Sequence, residues 1–323
     1  MNDHRISPEI MEQVKRKIFD VPYCEDSPSQ KLDIWYPNET ENADSSGSAP
    51  GSREFSRADT SDAGKTADTL SGEKAYPAIL FFHGGGFCVG GKQEDCLEPI
   101  LKSLDRGYAV VDVEYRKSGE ARFPAMLFDA KAAIRFVKAH AKEYQLDAGR
   151  IALWGASCGG WIVSMAAVTA NLPAFEDRNM GNADYDATVQ AVVDWCGPCG
   201  DFLDMDKAFL ASGKGVPDHD QADSGESCFL GAPLPAVRDL AHLASPANYV
   251  HDSVPYFCII HGEEDQVVPI EQSYAFVNAL QAAGQGDKVE FHPMPGVKHH
   301  GKVWWHEETA PSISLDFLDR VLK

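Results

Sequence analysis

The sequence predicts an α/β protein: a mainly parallel, twisted sheet with helices on both faces and a small cap insertion. Three observations carry that prediction. From Pro77 onward, short apolar runs alternate with helix-patterned stretches, the pattern of strands joined by crossover helices. Arg150-Ile151-Ala152-Leu153-Trp154, a buried-strand pattern, passes through Gly155-Ala156-Ser157-Cys158-Gly159 into the helical run Gly160 to Ala167. The chain has 323 residues, 44% of them hydrophobic and 24% charged, enough for a core and within the range of one α/β domain with insertions.

Taken in order, Ser7-Pro8 caps a first helix with Ile10, Val14 and Ile18 on one stripe. Residues 20–36 read as two antiparallel strands, ending at Lys31 to Tyr36. Residues 38–76 are crowded with Ser, Asp, Gly, Thr and Ala, have little that could pack, and read as a mobile inserted loop. The alternation then runs strand 78–83, helix 94–105, strand 108–113, helix 124–143, strand 150–154, helix 158–170 and strand 190–194. Residues 200–248 break it, with Phe202, Leu203, Met205, Phe209 and Leu210 before a polar stretch and Phe229-Leu230 after it. This segment reads as a cap that supplies apolar walls, against the simpler reading of a surface excursion with a minor core of its own. A strand over 254–260, a helix from Pro269 with Tyr274, Val277 and Leu280 on one face, a strand over 288–292 and a C-terminal helix complete a single domain, 1–323.

A serine at the corner of a Gly-x-Ser-x-Gly turn between strand and helix is held with its Oγ exposed above the sheet edge, where a histidine can reach it. Upstream, Ala78 to Phe82 runs straight into His83-Gly84-Gly85-Gly86-Phe87. Acyl transfer passes through an oxyanion that needs aimed N–H donors, and a glycine run can turn successive amides inward. Downstream, the strand ending at Ile260 leads into His261-Gly262-Glu263-Glu264-Asp265, which puts Asp265 in a loop at a strand's C-terminal end. The last strand leads into Pro295-Gly296-Val297-Lys298-His299-His300-Gly301. Serine, acid and histidine thus follow in the order such a hydrolase requires.

With these motifs in view, from about residue 20 to the end, the chain resembles an α/β-hydrolase of the hormone-sensitive-lipase-like esterase group. That group carries HGGG, GxSxG, HGxxDxxVP and a late GxxHG-type loop. Val192 to Pro198 and Ala244 to Val250 are similar to further segments of the group. The resemblance implies Ser157 as nucleophile, Asp265 as acid and a late histidine as base. It also implies the amides of Gly85, Gly86 and Cys158 as oxyanion donors. At the base the chain departs from the pattern: a G-x-x-H frame from Gly296 selects His299, and an H-G frame from Gly301 selects His300. The distance from the preceding strand favours His299, with His300 as the alternative.

Trp195-Cys196-Gly197-Pro198-Cys199 reproduces the active-site string of thioredoxin, where a Cys-x-x-Cys supports disulfide exchange. Its position past the middle of the chain, between the serine corner and the acid strand, favours a structural pair of thiols. Zinc finds no second Cys-x-x-Cys to complete a tetrahedral site. The net charge of -20 argues against nucleic acid or an anionic membrane as partner. No apolar run is long enough to span a bilayer, and no signal core follows the charged N-terminus. Eight scattered cysteines do not make a disulfide framework, so a reducing, cytoplasmic setting is expected. The expected function is therefore a serine carboxylic ester hydrolase for small or medium esters (aliphatic, acetyl-sugar or feruloyl), needing no metal or cofactor. Alternatives are a serine peptidase or amidase of the same fold and, from another class, a thiol-redox or non-catalytic interaction protein using Cys196 and Cys199. The sequence leaves the oligomeric state open.

Overall fold

The computed structural model describes residues 5–38, 74–299, 302–305 and 307–323. All but the ends of the expected inserted loop 38–76, and His300, lie outside the described residues. The strands are β1 (Lys17–Pro22), β2 (Lys31–Trp35), β3 (Tyr76–Phe82), β4 (Ala109–Val113), β5 (Leu146–Ala156), β6 (Ala191–Trp195), β7 (Tyr256–Gly262) and β8 (Val289–Met294). They form one sheet in the order β1-β2-β4-β3-β5-β6-β7-β8. β1 with β2 and β2 with β4 are antiparallel, and every later pair is parallel. The helices are α1 (Pro8–Gln13), α2 (Glu98–Leu101), α3 (Ala125–Ala139), α4 (Cys158–Val168), α5 (Met205–Ser212), α6 (Gly225–Leu230), α7 (Arg238–Leu243), α8 (Glu271–Ala282), α9 (Lys302–Trp305) and α10 (Thr309–Leu322).

Side chains of a strand alternate between faces, and here each face is covered. On one face, Ala78, Leu80, Phe82, Leu153 and Val192 pack with Ile134 of α3, Trp161 and Ile162 of α4, and Phe276 of α8. On the other, Ile79, Phe81, Trp154, Val193 and Trp195 pack with Ile100 of α2 and with Leu315 and Leu318 of α10. This two-sided burial explains why the central strands are apolar throughout. The order β4-β3-β5 reverses direction at β3. The crevice outside the carboxyl ends of β3 and β5 is where open α/β sheets place their sites.

Several local expectations are corrected. The first helix stops at Gln13, and Ile18 belongs to β1, where it is 37% exposed. Pairing of Lys17 and Ile18 with Trp35 and Ile34 prevails over the helical spacing. The helix expected over 94–105 is a 3₁₀ turn, the single turn α2 and a second 3₁₀ turn. On α8 the inward face is Ser273, Phe276, Val277 and Leu280, while Tyr274 is exposed. Residues 200–248 hold α5, α6 and α7. Their Phe202, Met205, Phe229 and Leu234 join the same apolar cluster as α3 and α4, so this segment shares the main core. Leu210 points to solvent.

Candidate active site

Ser157 stands between the end of β5 and the start of α4 with φ 58° and ψ -125°. A left-handed φ in a residue other than glycine costs about 1–3 kcal/mol and persists only where the surroundings impose it. Here they do. The Ser157 amide donates to the Trp195 carbonyl at 2.8 Å, and the Ser157 carbonyl accepts from the Trp161 amide at 3.2 Å. The flanking glycines leave no room for a side chain. A Cβ on Gly155 would lie 2.1 Å from the Gly159 carbonyl oxygen, and one on Gly159 would lie 2.0 Å from that of Phe82. The turn therefore packs directly onto the end of β3.

His299, in the loop after β8, has Nε2 2.9 Å from Ser157 Oγ and Nδ1 2.7 Å from Asp265 Oδ2. A carboxylate only accepts, so Nδ1–H donates to Asp265 and Nε2 is left to accept from the serine hydroxyl. Asp265 is buried, in the loop after β7. Its Oδ1 accepts from the amides of Val267 and Val268 at 2.8 and 2.9 Å. Burial opposes its ionisation, but hydrogen bonds from His261 and His299 outweigh that and hold the carboxyl well below the usual range. His261 lies 3.2 Å from Asp265 Oδ2 through Nε2, which is also 2.9 Å from the Val268 carbonyl, and its Nδ1 meets Ser273 Oγ at 2.7 Å. The ring is buried and held at both nitrogens.

The glycine run turns back sharply after β3. Gly85 has φ +127°, and a Cβ there would fall 2.1 Å from the Val89 carbonyl oxygen. The Gly85 carbonyl accepts from the amides of Cys88 and Val89, both at 3.1 Å. Gly84 lies against the serine corner, where a Cβ on it would come within 3.4 Å of Ser157 Cβ. Beneath the turn, His83 stacks on Tyr115 with centroids 4.4 Å apart. Burial and the Lys117 charge push His83 down to about 3, so it is neutral, with Nδ1 2.6 Å from the Gly84 carbonyl it donates to. The Tyr115 hydroxyl donates to the His83 carbonyl at 2.8 Å. Burial pushes the Cys158 thiol up, and its Sγ lies 3.8 Å from the Tyr115 hydroxyl and 4.0 Å from the His83 carbonyl oxygen. The Cys158 side chain thus ties the serine helix to the glycine turn.

A cavity of about 520 Å³ opens at Ser157. It is lined by Gly84, Gly85, Val89, Trp195, Cys196 and Trp304, and by the acidic residues Glu94 and Asp95. The remaining sequence candidates fall as follows. Cys196 and Cys199 are both buried, and burial pushes each thiol well above its ordinary value. Cys199 Sγ donates to Asp194 Oδ2 at 3.1 Å, and the same carboxylate holds the Gly197 amide at 2.9 Å and Ser164 Oγ at 3.0 Å. Disulfide exchange needs an accessible thiol of lowered pKa, and this pair has neither property. Cys196, Asp265 and His299 bring ligand-type atoms within 4.8 Å of one another. The His299–Asp265 hydrogen bond already engages two of the three.

Sequence reasoning passed over His261, Trp304 and the His83–Tyr115 stack. His261 had a signal, since it immediately precedes the turn bearing Asp265. Trp304 had none, because only the tertiary fold brings α9 to the cavity.

An eight-stranded, mainly parallel sheet with a serine at its strand-to-helix corner defines an α/β-hydrolase. The sequence profile of the BD-FAE family matches residues 69–280. This chain belongs to that family, among the hormone-sensitive-lipase-like esterases. It is 30% identical over 250 residues to Esterase LipQ of Mycobacterium tuberculosis, covering 77% of this chain and 55% of that protein. It is 30% identical over 224 residues to the probable carboxylic ester hydrolase LipM of the same organism, covering 69% and 49%. The chain thus spans about half the length of these curated relatives. Among solved structures, a truncated carbohydrate esterase from gut microbiota matches at 27% identity and a TM-score of 0.75, covering 99% of this chain and 98% of that one. No helix among the described residues is long and apolar enough to cross a membrane.

Proposed function

We propose that the protein is a serine carboxylic ester hydrolase working through an acyl-enzyme. The observation that carries this reading is the continuous hydrogen-bonded chain Ser157 Oγ–His299–Asp265, opening on a cavity beside the glycine turn. His299 Nε2 takes the Ser157 proton as Oγ attacks the ester carbonyl. Asp265 holds the ring in the required tautomer and stabilises its charged form. The oxyanion is received by amides of Gly85, Gly86 and Cys158. His299 then passes the proton to the departing alkoxide, and water activated by the same ring hydrolyses the acyl-enzyme. The names of the relatives support an ester over an amide as substrate.

Esters carried on carbohydrate come first among the acyl esters in this reading. The likeness, over nearly the whole of this chain, to a truncated carbohydrate esterase supports it, as do acidic and aromatic residues of the kind that bind sugars among the cavity lining, Glu94, Asp95, Trp195 and Trp304. Residues 200–248 act as the cap in this reading, and the chain works in a reducing, cytoplasmic setting, away from nucleic acid.

The test is a panel of p-nitrophenyl esters of rising chain length with an acetylated sugar, a feruloyl ester and a peptide anilide. Ser157→Ala should lower ester turnover by about three or more powers of ten with the fold intact. Near-wild-type turnover in the pure variant would refute the mechanism, and a preference for the anilide would favour the peptidase reading.

A further inference from the structure

Cys88 and Cys228 take no part in the proposed hydrolysis, yet the fold brings them together from distant parts of the chain. Cys88 closes the glycine turn, its amide donating to the Gly85 carbonyl at 3.1 Å. Cys228 sits on α6, within the 200–248 segment. Cys88 lies close enough to Cys228 for its charge to raise the Cys228 thiol, and Ser118 Oγ lies 3.2 Å from Cys88 Sγ. Both thiols line a cavity of about 510 Å³ together with Ser118 and Arg122. Cys88 is exposed and Cys228 half-buried.

The residues beside each cysteine hold this register. Phe87 stacks on Phe229 with centroids 4.4 Å apart and planes within 9°. α6 meets the turn so closely that a Cβ on Gly225 would lie 2.5 Å from the Gly86 carbonyl oxygen. The other six cysteines offer no such pair: Cys96, Cys158, Cys196, Cys199 and Cys258 are buried, and Cys24 faces the Asp26 carboxylate at 3.4 Å.

We propose that Cys88 and Cys228 form an oxidative modification site, a reversible disulfide that staples the glycine turn to α6. With hydrogen peroxide as oxidant, the exposed Cys88 thiolate attacks one peroxide oxygen. The O–O bond breaks, and the departing hydroxide takes a proton to leave as water, giving a sulfenic acid. The Cys228 sulfur then attacks the Cys88 sulfur, forming the S–S bond and displacing the sulfenic oxygen as a second water. Two thiols are oxidised and one peroxide is reduced. Burial pushes the Cys228 thiol up, with Arg122 acting in the opposite sense. Because the attacking species is the thiolate, closure quickens as pH rises. The Phe87–Phe229 stack already holds the two segments together, so closure restricts mainly the unfolded chain.

The experiment treats the full chain with a small excess of peroxide at pH 8, followed by peptide mapping without reductant and a thermal melt. The expected result is a peptide joining Cys88 to Cys228, a mass loss of about 2 Da reversed by dithiothreitol, and a Tm several degrees above that of the reduced protein. Cys88→Ser and Cys228→Ser should each abolish the cross-link and the Tm gain. Ending with Cys88 as a sulfinic acid or pairing with another cysteine would overturn the proposal. So would an equal Tm rise in Cys228→Ser. These readouts do not depend on ester turnover, so failure of the staple and failure of the esterase reading are distinguishable.

Discussion

Asp265→Asn isolates the orienting carboxylate, because the surroundings dictate how the new amide must sit. The amides of Val267 and Val268 both point at Oδ1. Turning the amide nitrogen toward them would strand two buried donors, at about 1–3 kcal/mol each. The amide oxygen therefore stays at Oδ1, and the NH₂ takes the place of Oδ2, 2.7 Å from His299 Nδ1. An NH₂ cannot accept the Nδ1 proton, so the ring adopts the other tautomer. Nε2 then carries the proton and can no longer accept from Ser157 Oγ. His261 keeps the Val268 carbonyl as its acceptor, so the loop should hold its shape. The same carboxylate-to-amide change in a serine protease of unrelated fold lowers kcat by about 10⁴, on the order of 5 kcal/mol of transition-state stabilisation. The expected outcome is a fall of about three to four powers of ten in kcat for p-nitrophenyl acetate, with an unchanged circular dichroism spectrum and a Tm within a few degrees. A variant retaining more than a tenth of wild-type kcat would refute the argument that Asp265 sets the tautomer.

Three further outcomes are expected. His299→Ala should abolish turnover nearly as fully as Ser157→Ala, His300→Ala should cost much less, and the double variant Ser157→Ala/His299→Ala should be scarcely worse than either single one; kcat for all four decides it, and a dead His300→Ala beside an active His299→Ala would transfer the base to the neighbouring residue. Cys196→Ser with Cys199→Ser should keep ester turnover within about tenfold, since a serine at 199 can still donate to Asp194, and the wild type should not reduce insulin disulfides. Burial raises Asp112 to about 7, with the Gln93 amide opposing and Asp33 adding to the rise. A raised carboxyl binds more protons folded than unfolded, so its contribution to stability is full below about pH 4 and is lost as pH rises through about 7; Asp112→Asn should flatten the decline in Tm between pH 5 and pH 8, and an unchanged slope would count against that reasoning.

Much of the fold was legible because the signals are local. Strands buried on both faces read as apolar runs, and the runs at 78–83, 108–113 and 190–194 lie within a residue or two of β3, β4 and β6. The motifs around Ser157, Asp265 and the glycine turn were legible because strand ends and tight turns demand particular residues at fixed spacing. Gly155 and Gly159 sit where a Cβ would strike backbone, a constraint visible as two letters. The chain's first thirty residues were less legible, since Ile18 satisfies helical spacing yet pairs with Ile34 as a strand, and local pattern cannot say which partner waits across the sheet.

Sequence alone carries the alternating β/α order and the succession of serine, acid and histidine motifs along the chain. Which atoms meet is set by the folded chain. Both frames for the base fit the letters, but only three-dimensional closure of the β8 loop over β7 brings His299 Nδ1 to Asp265 and Nε2 to Ser157. Likewise, Cys196 and Cys199 carry a redox string, and burial makes them protonated core thiols. Cys88 and Cys228 carry no motif, and packing of Phe87 on Phe229 brings them to one cavity. The physical reason is the same in each case: reactivity depends on distances of a few ångströms and on burial, and residues far apart in the chain acquire both only when the sheet and its helices close around them.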